Sequence, residues 1–283
     1  MLVNLKEMTK IAKKEKYAVP HFNINNLEWT RYILETCEEM DSPVILGVSE
    51  GATKYMGGFN VVSLLVKGLI KDLNITIPVC LHLDHGSSVE SCIKAIDAGF
   101  SSVMIDASKF TLEDNIKITN EVVSYAKKYN VSVEAEVGHI GGTEDGESSD
   151  VAYAKVEDVL KLVNETNIDI IAPALGSVHG LYKGEPKLDF DKMKEISEKT
   201  SIPLVLHGGT GIYNEQIKKA IECGISKINI NTDLQIAWSN AVREFLNNDS
   251  KEYDPRRIIG SGKEAVKEKI REKIILFGSN NKY

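Results

Sequence analysis

Ile77-Pro78-Val79-Cys80-Leu81-His82-Leu83-Asp84-His85-Gly86 is an apolar run that ends in histidine, aspartate, histidine and glycine. The same form recurs twice. Ile168-Asp169-Ile170-Ile171-Ala172 leads into Gly176-Ser177-Val178-His179-Gly180, and Ile202-Pro203-Leu204-Val205 leads into Leu206-His207-Gly208-Gly209-Thr210-Gly211. Each apolar run reads as a buried strand with a histidine at its carboxyl end. Three imidazoles from three strand ends can converge on one metal and leave a coordination position open. That is the pattern of a catalytic zinc site, not of a closed structural one. The chain has only 6 histidines, so three in matching contexts carry information.

Outward from these segments, strand and helix signals alternate along the whole chain. The strand signals cover residues 19–24, 43–48, 78–83, 102–105, 132–137, 170–175, 203–206 and 227–230. Helical periodicity covers 27–40, 61–73, 89–98, 112–129, 156–165, 190–198 and 215–222, and a further helix is expected near 263–275. Capping-type residues open many of these helices: Asn26, Ser87 or Ser88, Thr111 and Asn214. Strands buried on both faces and alternating with helices imply a parallel sheet. Eight even repeats imply a closed (β/α)8 TIM barrel of α/β class, spanning 1–283 as one domain with an additional C-terminal helix. An open doubly wound sheet is the alternative. Two long polar loops, 141–150 and 181–186, fall on the carboxyl face and read as lids.

Composition bounds the function. A chain of 283 residues suits one α/β barrel, and 42% apolar residues can fill its core. No stretch reaches the ~18 apolar residues of a membrane span. The start lacks the apolar centre of a signal peptide and reads as an amphipathic helix. A net charge of −7 argues against a nucleic-acid partner. It leaves room for an anionic substrate, because helix N-termini and backbone N–H groups hold phosphate locally. Cys37, Cys80, Cys92 and Cys223 form no Cys-x-x-Cys pair and read as free thiols, with the cytoplasm as the expected compartment.

His85, His179 and His207 are the expected metal ligands. Strand alternation puts His82 and Asp84 on one face and His85 on the other, so His85 must sit where the strand already turns. His82 then reads as a hydrogen-bonded core residue. Asp84 has two open roles: exchanging a proton with a hydroxyl held at the metal, or orienting a ligand histidine. Asp106 and Glu136 also end apolar strands, and as buried carboxylates they need a second metal position or hydrogen bonds to the histidines. Gly208-Gly209-Thr210-Gly211 and Asn229-Ile230-Asn231-Thr232 end the seventh and eighth strands, the usual phosphate-binding corner of a barrel. Lys227 is placed at the start of the last strand, at the wrong end for a Schiff base. Lys109 beyond the fourth strand would leave the three histidines unexplained.

With these segments the chain resembles the class II, metal-dependent fructose-bisphosphate aldolases over nearly its full length. The resemblance rests on residues 22–28, 42–47, 82–86, 103–108, 133–136, 176–180 and 207–211. The sister branch, the tagatose-bisphosphate aldolases, tends to carry Ala-Ser where this chain has Gly209-Thr210, and Ala where it has Asn231. The resemblance implies that His85, His179 and His207 hold catalytic Zn2+, and that Asp106 and Glu136 hold an alternate or second metal position. It implies Asp84 acting on the C4 hydroxyl and Glu144 moving the proton at the enediol carbon. Gly180, Gly208, Gly209, Thr210, Asn229, Ile230, Asn231 and Thr232 would bind dihydroxyacetone phosphate, with a monovalent cation, Na+ or K+, nearby. Ser49 would hold the aldehyde half. Arg256, from the same chain or a neighbouring subunit, would meet the far phosphate. The implied partners are a phosphorylated sugar and further copies of the chain in a homodimer or homotetramer, with no nucleic acid and no membrane. His139 has no assigned role. The rival classes are a metal-dependent barrel hydrolase, which would need no phosphate corner, and a non-catalytic metabolite-binding protein on the same scaffold.

Overall fold

The structure is a computed structural model that describes residues 2–144, 147–149, 153–180, 182 and 184–283, the side chains of 143, 144 and 147–149 excepted. Its strands are β1 (Val19–Asn23), β2 (Val44–Val48), β3 (Val79–Gly86), β4 (Ser102–Ile105), β5 (Ser132–Val137), β6 (Gly141–Glu144), β7 (Glu147–Ser149), β8 (Ile170–Pro173), β9 (Val178–His179), β10 (Leu204–Leu206) and β11 (Ile225–Ile230). Eight of them close a barrel in the order β1-β11-β10-β8-β5-β4-β3-β2, with parallel pairing throughout. The (β/α)8 expectation therefore holds, strand for strand.

The helices are α1 (Leu5–Glu15), α2 (Leu27–Glu39), α3 (Glu50–Met56), α4 (Phe59–Asp72), α5 (Val89–Asp97), α6 (Leu112–Ala126), α7 (Val156–Thr166), α8 (Phe190–Lys199), α9 (Asn214–Glu222), α10 (Thr232–Asn248), α11 (Pro255–Gly260) and α12 (Lys263–Phe277). The side chains of Asn26, Ser88 and Thr111 accept backbone N–H groups at the starts of α2, α5 and α6, as cap residues do. Asn214 does not cap: it is already helical, and Tyr213 precedes it without a side-chain cap bond.

Three differences from the sequence reading concern the carboxyl end of the barrel. β3 runs on to Gly86, and β8 stops at Pro173. The segment read as a polar loop after β5 forms the antiparallel hairpin β6–β7, and β6 pairs in parallel with β9, Gly142 opposite His179.

The apolar core divides in two. The larger part lies between the outward strand faces and the helices, and includes Phe22, Leu46, Leu81, Leu83, Val103 and Ile228. The smaller part lies inside the barrel, where Val19, Ile45, Cys80, Ile170, Ala172 and Val205 meet Leu5, Met8 and Ala12 of α1. That helix plugs the amino end of the barrel, which leaves the carboxyl end as its open mouth.

Candidate active site

β3 delivers His85 to the mouth by breaking its own pattern. The register against β4 slips between Leu83 and Gly86, and His85 takes a left-handed φ of 48°. A non-glycine residue in that region is uncommon. Here it turns the ring back towards the side chains of His179 and His207. Gly86 permits the turn, since a Cβ there would lie 2.5 Å from the Met104 carbonyl oxygen. Gly208 does the same after β10: its φ is 64°, and a Cβ would meet the Val178 oxygen at 2.1 Å. β9 therefore lies directly against the turn that carries His207. Ligand atoms of His85, His179 and His207 fall within 4.8 Å of one another.

The second ring nitrogens fix the tautomers. Asp106 Oδ2 lies 2.8 Å from His85 Nδ1, and Glu134 Oε1 lies 2.8 Å from His207 Nε2. A carboxylate can only accept, so those nitrogens carry the protons. The remaining lone pairs, on His85 Nε2 and His207 Nδ1, face each other at 2.9 Å. The His179 ring stands 5.1 Å from His85 and 5.9 Å from His207, centroid to centroid. Burial is the main cause that holds His179 and His207 well below the ordinary imidazole pKa, with the neighbouring rings adding to it. Neutral imidazoles with converging lone pairs suit a divalent cation. His85, Asp106 and Glu136 form a second, overlapping donor group.

Asp84 lies beside this cluster, 1% exposed. Asn23 Nδ2 donates to its Oδ2 at 2.8 Å, and Asn229 Nδ2 to its Oδ1 at 3.2 Å. Burial pushes its pKa up, but the nearby imidazoles and the Lys227 ammonium outweigh burial and hold it well below the usual carboxylate value. At Asp106 burial likewise pushes the pKa up, and the His85 and Ser108 hydrogen bonds overcome it and hold the carboxyl well below its usual value. Both carboxylates are therefore held in the charged form.

The sequence profile of the family described as "Fructose-bisphosphate aldolase class-II" matches residues 3–282. The chain belongs to this family. A fructose-bisphosphate aldolase of Geobacillus stearothermophilus is 59% identical over 284 residues, covering 99% of this chain and 98% of that protein. One from Staphylococcus epidermidis is 57% identical over 282 residues, 99% of both chains. Among solved structures, the YdjI aldolase of Escherichia coli K12 aligns with a TM-score of 0.87 at 34% identity, over 100% of this chain and 99% of that one. Class II aldolases are metal-dependent, and the histidine cluster is a donor set of the kind they need.

Against this family background the other expected residues fall in four places. Gly208, Gly209, Thr210 and Asn229 to Thr232 gather where β10 and β11 end and α10 begins. The Gly209 N–H is already bonded to the Asn229 carbonyl, and the Thr210 hydroxyl accepts the Asp233 N–H of α10. Ser49 caps α3 and shares a cleft of about 610 Å³ with Asn23, Asn26, Trp29, Asn231 and Gln235. Arg256 is not brought to the histidines within this chain. It lies on α11, pairs with Asp254, and lines a separate cleft with Glu244 and Arg257. Glu144 has its backbone in β6, two residues beyond the partner of His179, and its side chain lies outside the described residues. His139 Nδ1 is 3.0 Å from the Ser108 hydroxyl.

Four residues escaped the sequence reading: His21, Asn23, Glu134 and, in its true position, Lys227. Lys227 points into the middle of the barrel, 0% exposed, with Nζ 2.8 Å from Glu134 Oε2. It is thus neither at the amino end, as expected, nor free to react. The signal that would have found these residues is spacing. His21, His82, Glu134 and Lys227 each lie two residues before Asn23, Asp84, Glu136 and Asn229, on the same inward face of their strands.

Proposed function

We propose that this aldolase cleaves D-fructose 1,6-bisphosphate reversibly to dihydroxyacetone phosphate and D-glyceraldehyde 3-phosphate, using zinc held by His85, His179 and His207. The observation that carries this reading is the meeting of two carboxylate-fixed imidazole lone pairs, 2.9 Å apart, beside a third imidazole. Zinc bound there supplies a Lewis acid for the ketose carbonyl. Asp106 and Glu136 offer it an alternate position.

The chain's own groups do the rest. Asp84, ionised and held by Asn23 and Asn229, takes the C4 hydroxyl proton as the C3–C4 bond breaks. Glu144, carried on the hairpin, returns a proton to the dihydroxyacetone phosphate carbon that lost its bond. No lysine is needed as a covalent partner, and the buried Lys227 is engaged by Glu134. Gly180, the 208–210 turn and the N-terminus of α10 receive the first phosphate, where N–H groups and the helix dipole favour an anion. The cleft at Ser49 receives the aldehyde half. Arg256 reaches the far phosphate from a neighbouring subunit of a homodimer or homotetramer, which accounts for its exposed position in one chain.

The test is the specificity constant for fructose 1,6-bisphosphate and tagatose 1,6-bisphosphate, measured side by side. The account expects fructose to win, as Gly209, Thr210 and Asn231 suggest. A preference for tagatose would move the chain to the sister branch, and cleavage of neither would defeat the proposal.

A further inference from the structure

Glu134 and Lys227 form an ion pair with 0% exposure on either side chain. The Lys227 ammonium donates to both carboxylate oxygens, at 2.8 and 3.1 Å. Oε1 also accepts from His207 Nε2 at 2.8 Å, and His82 Nε2 lies 3.6 Å from Oε2. His82 is itself held by the Ser102 hydroxyl at 2.8 Å from its Nδ1.

Stability alone does not explain the pair. Moving two charges out of water is costly, and a fully buried ion pair is often no better than well-packed apolar residues. Neighbouring strands fill the same interior with apolar residues, at Ile45, Cys80, Ile170 and Val205, and Ile170 and Val205 stand opposite Glu134 and Lys227 in the strand register. A charged pair in the layer directly beneath the histidines therefore calls for another role.

We infer that Lys227 and Glu134 are a positioning pair for His207: Lys227 fixes the Glu134 carboxylate, which fixes the ring orientation of His207 and keeps its Nδ1 lone pair facing the metal position. The inference rests on the reading of His207 as a metal ligand. It also separates two glutamates that face the same way. Both oxygens of Glu134 are committed to Lys227 and His207, so Glu134 is withheld from the metal. Glu136, two residues on, groups with His85 and Asp106 as a candidate donor.

The test uses the metal alone. Co2+ or Zn2+ affinity is measured by chelator competition for the wild type, E134L/K227M and E134Q/K227M, alongside thermal melting. Removing both charges together avoids stranding either one. E134L/K227M should melt no lower than wild type yet bind metal about 10- to 100-fold more weakly, the usual cost of losing such a partner. The E134Q/K227M carbonyl still accepts from Nε2–H and should recover part of that loss. Wild-type affinity in E134L/K227M would reduce the pair to barrel packing and overturn the inference. Should that variant fail to fold, the ring nitrogens of His207 in metal-free, 15N-histidine-labelled wild type decide the matter. A proton on Nε2 is expected, and a proton on Nδ1 overturns the inference. A wild type that takes up neither ion would instead defeat the metal reading itself, and the pair's role with it.

Discussion

Along β1 and β3 the lower and upper halves of the barrel interior stand on the same strands but are made of opposite materials. At the amino end, Val19, Ile45, Cys80, Ile170 and Val205 pack on α1 in the aliphatic manner usual for such barrels. Two residues further along, β1 offers His21 and β3 His82, and β5 and β11 add Glu134 and Lys227, all with 0% exposure. Two residues beyond those come Asn23, Asp84, Glu136 and Asn229. Each of these strands thus climbs towards the mouth in steps of two, and on β1 and β3 the climb runs from apolar through polar to the site itself. The lower layer can be judged by what it adds to stability, and the upper by what it holds in place. Gly47 shows how closely the upper layer is fitted: a Cβ there would lie 1.7 Å from His21 Nε2.

The sharpest division between the layers should come from Asp84→Ala. Cleavage of the bisphosphate should fall by about 10²–10⁴-fold, the range for a positioned acid–base group. Metal uptake should persist, because His85, His179 and His207 remain. Retained cleavage would assign the C4 proton to another residue. Ile45→Ala probes the lower layer in the opposite sense. Its fully buried side chain should cost about 2–5 kcal/mol on denaturant unfolding, while kcat/KM in the folded protein stays near wild type. A large fall in kcat/KM would show that the layers are mechanically coupled and break the comparison.

Residue for residue, a smaller effect concerns pH. Burial is the leading cause that keeps His21, His82, His179 and His207 well below the ordinary imidazole value. In the metal-free protein they stay neutral when folded and take up protons when unfolded. Stability is therefore full above about pH 6.5 and declines as pH falls below it, with a slope of up to about 1.4 kcal/mol per pH unit for each ring. Denaturant midpoints of chelated protein at about pH 7.5 and about pH 5.5 check this. Equal midpoints would mean that the upper layer is open to water.

The barrel was legible because its signal is repetition: eight apolar runs, each followed by a helical period, admit few other arrangements. The histidine triplet was legible for the same reason. His85 was even placed at a strand break, and its φ of 48° shows that break. The upper layer was harder to read because alternation tells which way a side chain points but not how far along the barrel it lies. Lys227 was set at the amino end for want of knowing that β11 starts at Ile225. The hairpin was missed because β6 and β7 are rich in glycine, serine and acids, and owe their pairing to β9, a contact between distant parts of the chain. Arg256 marks a different limit, since the site it is proposed to serve is not on its own copy of the chain.

The central claim is that the mouth of this barrel performs aldol cleavage through a bound divalent metal and not through a lysine. The most direct measurement is fructose 1,6-bisphosphate cleavage by the wild type before chelation, after chelation, and after Zn2+ is restored, with borohydride plus substrate as a parallel treatment. The account predicts activity lost to the chelator, regained with Zn2+, and untouched by borohydride. Cleavage that survives complete metal removal, or substrate-dependent inactivation by borohydride, would contradict it.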